Sequence, residues 1–154
     1  MSKNHKVMKN NIELKNGILI FIGIALFFLI MDLLGLADKN YLRLLNAFIV
    51  MYGINRTLKT NYLNGKTDYL GNLIAGFKTG IIGVGLGIIG LIIFIQVKGG
   101  EVYLSKLSDT FFFIGKTNTI KYASVLFFEG IASSLIASFT LMQYWKDIVA
   151  NAKY

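Results

Sequence analysis

Four stretches of this chain are apolar around their whole circumference, with polar residues gathered in the short intervals between them. A helix facing water keeps a polar side; one without it is buried or lies in a membrane. Crossing hydrocarbon takes about 20 mainly apolar residues. The pattern therefore predicts spans at 17–37, 41–57, 70–97 and 121–145, the second being the shortest. Asp38, Lys39 and Asn40 leave room only for a tight turn, so the first two spans are expected as an antiparallel hairpin. The link from Leu58 to Tyr69 carries Asn61, Asn64, Gly65, Lys66 and Asp68, residues of turns and solvated loops. Residues 1–16 read as a polar tail, 98–120 as an outer loop and 146–154 as a second tail. Within the outer loop, Phe111-Phe112-Phe113-Ile114 is too short to span and is expected at the interface or against the bundle. The expected fold is all-α: a polytopic membrane protein built as an antiparallel bundle of four transmembrane helices.

Glycine sharpens that expectation. Gly76, Gly80, Gly83, Gly87 and Gly90 are spaced four, three, four and three, which sets them on one stripe of the third helix. In water each interior glycine would cost about 1 kcal/mol relative to alanine. In lipid such a stripe admits another helix backbone at close range, where packing drives association. A second stripe of small residues, Ala123, Gly130, Ser134 and Ala137, runs along the fourth helix. The two stripes pack on each other, or one of them faces another chain.

Composition narrows the chemistry. The chain has 154 residues, 55% of them hydrophobic, with a mean hydropathy of +0.59. It contains no cysteine, so disulfides, thiolate metal sites and cysteine nucleophiles are excluded. It contains no proline, so a helix break must come from glycine or an inserted polar group. The net charge of +8 is spread by topology rather than gathered into a nucleic-acid patch. With four spans, Lys3, Lys6, Lys9, Lys15, Arg56, Lys59, Lys66, Lys146 and Lys153 share one side. Lys39, Arg43, Lys98, Lys106, Lys116 and Lys121 share the other. The excess on the first side places both termini in the cytoplasm by the positive-inside rule. The first stretch does not read as a signal peptide, because a polar tail precedes it and Asp38-Lys39-Asn40 follows in place of small residues.

Ionisable groups within spans are costly and so point to pairing or function. Asp32, Arg43 and Glu129 fall at compatible depths towards the outer side, and an arginine shared with carboxylates would lock the first, second and fourth helices together. The alternative is that Asp32 and Arg43 face headgroups. Glu129 flanks the small stripe of the fourth helix, with Ser133 one turn below, as either a structural hydrogen bond or a proton or cation relay requires. Lys78 sits near the inner surface and snorkels. Asn46 and Asn55 can bridge helices, each worth about 0.6 kcal/mol, and Arg56 marks the inner end of the second helix. The only histidine, His5, lies in the tail, so no histidine metal site or triad is expected. The glycines of the third helix lack the lysine-serine ending of a phosphate loop. No catalytic residue, metal or cofactor is expected.

The segment Tyr52-Gly-Ile-Asn-Arg56, followed by Tyr69-Leu-Gly71 and Gly76-Phe-Lys-Thr-Gly80, resembles a family of small four-helix bacterial membrane proteins of unknown function. In that family the second helix ends in a Gly-Ile-Lys/Arg segment, and the third opens with phenylalanine, lysine and glycine; this chain departs from it at Asn55. The resemblance implies a bacterial inner-membrane location and assigns no activity or site residue. Taken together, the sequence leads to a non-enzymatic subunit whose partners are the bilayer and either itself or another membrane protein. The alternative is a small oligomeric transporter or channel using Glu129 and Asp32 with Lys78. A third option is a regulator acting at the membrane surface through its basic tail.

Overall fold

The computed structural model describes residues 11–108 and 118–151, and these are helical apart from short turns. The elements are α1 (Ile12–Leu33), a 3-10 segment (Asn40–Leu45), α2 (Asn46–Leu63), α3 (Tyr69–Val97), α4 (Glu101–Ser108) and α5 (Thr119–Asn151). Among the described residues, three helices are long and apolar enough to cross a membrane: α1, α3 and α5 over Thr119–Ile148. α2 does not reach that standard, because Asn55, Arg56, Thr57, Lys59, Thr60 and Asn61 interrupt it.

Boundaries move where tertiary partners take over from composition. The first helix begins at Ile12 rather than residue 17, and Asn16 is buried instead of belonging to a tail. The second starts at Asn46 and runs to Leu63, six residues beyond the expected end; residues 41–45 form the 3-10 segment. The last helix continues past Trp145 to Asn151. The outer loop contains α4, while Phe111–Phe113 and residues 1–10 lie outside the described residues. Local signals explain the ends. Asp68 caps α3 by accepting from the Gly71 amide at 2.6 Å. Gly99 and Gly100, with φ of 119° and 60°, supply the left-handed backbone that turns α3 into α4.

α1 and α3 lie side by side and parallel: Gly17 meets Ile82, Ile24 meets Gly87, and Phe28 meets Phe94. α2 runs antiparallel to both, and α5 antiparallel to α3, where Gly76, Gly80 and Val84 meet Ser138, Ser134 and Gly130. α2 and α3 each touch all the other long helices; α1 and α5 do not touch among the described residues. Ile20, Val50, Ile54, Leu58, Ala137 and Met142 form the main core, and Ile95, Leu104, Leu107 and Tyr122 a second one where α4 packs.

The glycine stripe is covered from within the chain. A Cβ on Gly83 would lie 2.5 Å from Ile20 and 2.9 Å from the Gly17 carbonyl oxygen. One on Gly80 would lie 2.5 Å from Ser134 Oγ, and one on Gly76 3.1 Å from Ile54. The two small-residue stripes therefore pack on each other, with α1 and α2 closing over the rest.

Candidate functional site

Near the turn that joins α2 to α3, the helices are bound by side-chain hydrogen bonds. Asn16 Nδ2 donates to Thr57 Oγ1 at 2.9 Å, and the Thr57 and Thr79 hydroxyls lie 2.9 Å apart, linking α1, α2 and α3 in one chain. Thr79 donates to the Ala75 carbonyl at 2.8 Å, which leaves Thr57 to donate to Thr79, with the Gly53 carbonyl farther off at 3.4 Å. Asn72 Nδ2 is shared between the carbonyls of Lys66 and Asp68, which fixes the connecting turn. Trp145 Nε1 donates to Asn55 Oδ1 at 2.8 Å while its ring stacks on Tyr62 at 5.3 Å, joining α5 to α2. Asn55 is thus an interhelical bridge, and Trp145 is half-buried against protein rather than only anchored in headgroups. Arg56 and Lys78, neighbours of Thr57 and Thr79 in sequence, are exposed.

At the other end the packing opens. A half-open cavity of about 340 Å³ lies among all four long helices, within the size range of small-molecule pockets. Gly87 and Gly90 contribute walls with no side chain, and the nearest atom to a Cβ on Gly87 is Ile24 Cγ2 at 3.8 Å. Gly80 and Gly83 are plugged by Ser134 and Ile20; Gly87 is not, and the space remains. Phe21, Ile24, Phe28, Leu91 and Phe94 make the α1 and α3 walls apolar. The opposite side carries the polar groups, Arg43 and Asn46 on the 3-10 segment and α2, and Glu129 and Ser133 on α5, set among Val50 and Leu126. α1 and α5, which are separated by α2 and α3, line the cavity from opposite sides.

Arg43 Nη2 donates to Glu129 Oε2 at 3.0 Å, and the guanidinium sits 5.9 Å from the centroid of the Tyr122 ring. The side chains are 27% and 51% exposed, so the pair borders the cavity rather than being sealed in the core. Glu129 lies ten residues into α5, about 15 Å from its start at 1.5 Å per residue. Asn46 Oδ1 is buried and has no hydrogen-bond partner among the described residues.

Of the three charges expected to meet, the structure brings only Arg43 and Glu129 together. Asp32 instead accepts from Tyr103 at 2.6 Å and pairs with Lys98 at 3.1 Å, both supplied by the segment read as a loop. Lys98 also lies over the Phe94 ring at 5.4 Å. Burial, and then the bonded Asp32 carboxylate, push the Tyr103 hydroxyl well above its ordinary pKa, so it remains a donor. The expected glycines, Gly130 and Ser134 act as packing residues, with Gly87 and Gly90 doubling as cavity walls.

Sequence reasoning missed the bonds joining Asn16, Thr57 and Thr79: Asn16 fell in the expected tail, Thr57 at the end of the second span and Thr79 well inside the third. It also missed Tyr103 and Lys98 as partners of Asp32. A usable signal was present in α2, where Gly53, Ile54, Thr57, Leu58 and Asn61 recur at helical spacing and are all buried. Comparison with protein-family models, curated proteins and solved structures gives no match, so the site is read from its own chemistry.

Proposed function

We propose that this chain is a non-enzymatic integral membrane protein that crosses the bilayer four times and serves as a self-assembling or accessory subunit of a membrane complex. The observation that carries the four-span reading is the parallel packing of α1 against α3. Two helices that cross in the same direction require the chain between them to cross back, and α2 is the segment available. Its outward face supports this: Phe48 and Tyr52, continued by Leu44 of the 3-10 segment, are exposed and largely apolar, with Arg56 and Lys59 following only towards the α2–α3 turn. The depth is also right. Lys78 and Lys98 are twenty residues apart on α3, about 30 Å at 1.5 Å per residue, which matches the hydrocarbon thickness.

The end carrying Lys15, Arg56, Lys59, Lys66 and Lys78 is assigned to the cytoplasm, and the location to a bacterial inner membrane, in line with the charge bias and the resemblance noted above. The absence of native cysteine makes the test direct. Single cysteines replacing Lys39 and Lys66 should be labelled by impermeant maleimide from opposite sides of sealed vesicles. Labelling of both from one side would overturn four spans.

The glycine and serine stripes are used within the chain, so the surface left for assembly is the apolar exterior, with Phe48, Tyr52, Phe128 and Ile136 exposed. Native mass spectrometry in mild detergent should then show a species heavier than the 17.2 kDa chain; a lone monomer under all mild conditions counts against assembly. A transport reading is favoured by one observation, the Arg43–Glu129 pair beside an open cavity. Flux in proteoliposomes that disappears with Glu129→Gln would select it over the subunit reading.

A further inference from the structure

We infer that the cavity between the helices is a binding site for a single-chain neutral amphiphile, an apolar tail ending in a hydroxyl or amide group. The inference uses the membrane setting proposed above but goes beyond it to a ligand. Shape and chemistry both contribute. The cavity lies among helices proposed above to span the bilayer and is lined mostly by apolar side chains, so its occupant is drawn from among acyl chains. Its volume of about 340 Å³ holds roughly eleven groups of water size at ~30 Å³ each. That is one hydrocarbon chain, not the two of a phospholipid. Phe21, Phe28, Leu91 and Phe94 receive the tail.

The head is selected by what the polar wall leaves unfilled. Arg43 and Glu129 already bind each other at 3.0 Å, so the wall carries no net charge. An anionic head would have to take Arg43 from Glu129, and a cationic head would have to take Glu129 from Arg43. Either exchange leaves a charge uncompensated in an apolar setting, which is costly. Asn46, on the same wall, has its side-chain oxygen buried and without a hydrogen-bond partner among the described residues. A hydroxyl can donate to that oxygen without disturbing the ion pair.

The test uses the full chain in phosphatidylcholine nanodiscs with a photoactivatable dodecanol, the crosslinked residues being mapped by mass spectrometry. Labels should concentrate on residues lining the cavity. Unlabelled dodecanol should compete at least tenfold better than laurate or dodecyltrimethylammonium, which have the same tail and charged heads. Gly87→Leu places a side chain in the cavity and should reduce labelling at least tenfold. Gly85→Leu, at a position where a Cβ meets nothing within 4 Å and which does not line the cavity, should leave it unchanged. Labels scattered over the lipid-facing surface, or insensitive to Gly87→Leu, would overturn the site. Equal competition by laurate would overturn the neutral head. The competition series needs no variant, so it decides the head group even if Gly87→Leu fails to fold. The cysteine labelling described above reads topology separately, so failure of the ligand and failure of the four-span reading can be told apart.

Discussion

Gly80→Ala tests whether the glycine stripe is closed by this chain or left for another. The added methyl would lie 2.5 Å from Ser134 Oγ and 2.6 Å from Ser134 Cβ, well inside the ordinary carbon separation of about 3.5–4.0 Å. Relief requires α3 and α5 to move apart, because Cβ is fixed to the backbone. Overpacking of this kind costs about 1–3 kcal/mol, and the gain in helix propensity returns at most about 1 kcal/mol. A net loss of roughly 1–2 kcal/mol is expected, a factor of 5–30 in the folding equilibrium. Ser134→Gly removes both offending atoms and leaves Ile54 Cδ1, a flexible tip, as the nearest neighbour at 3.2 Å. The double variant should therefore recover most of the loss, with a coupling of about 1–3 kcal/mol, even though Ser134→Gly alone is destabilising. The assay is reversible unfolding in mixed micelles with increasing sodium dodecyl sulfate, followed by circular dichroism. A wild-type curve for Gly80→Ala, or strictly additive losses in the double variant, would refute the contact and place the stripe elsewhere.

Three other outcomes follow from the side-chain geometry. Arg43→Met and Glu129→Met should each destabilise the bundle more than the double replacement does, because each single change leaves one charge unpaired; additive losses in the same unfolding assay would exclude the pair as a coupled unit. Asn55→Leu should cost about 0.6–1.7 kcal/mol and shift the emission of Trp145, the chain's only tryptophan, whereas an unchanged spectrum would mean that the indole N–H is bonded elsewhere. Tyr103→Phe should cost about 1.5–3 kcal/mol by removing the donor to Asp32. Because the folded pKa of Tyr103 is raised, its contribution is fully present below the ordinary tyrosine value of about 10 and fades only as pH rises through the higher folded value. An alkaline absorbance titration should accordingly lose its latest tyrosinate phase in Tyr103→Phe, and an unaltered titration would contradict the burial.

How far the sequence could be read depended on which physical signal governed each element. The glycines at 76, 80, 83, 87 and 90 were legible because spacing alone sets their helix face, and the structure adds that α1, α2 and α5 all press on that face. The meeting of Arg43 and Glu129 was legible from depth along the chain. Asp32 was not, because its partners Lys98 and Tyr103 come from a segment whose composition reads as a loop, and α4 is held by packing of Leu104 and Leu107 into the second core. The ends of α1 and α2 were misplaced for a related reason. Composition stops at the first polar residues, whereas Asn16 and Thr57 remain helical and buried because each satisfies the other. The cavity had no sequence signature: Gly83 and Gly87 look alike in the chain and differ only in whether Ile20 reaches them.

That difference has a mechanical consequence. Ile54 against Gly76 and Gly80, together with the threonine pair, rivets the bundle near the α2–α3 turn, while beside Gly87 the helices surround open space bridged by the Arg43–Glu129 pair. Stiffness is therefore graded along the helices, and a lateral squeeze from the surrounding bilayer would be taken up where the walls can yield. Pressure changes in one leaflet would deform that half first and leave the riveted half in register.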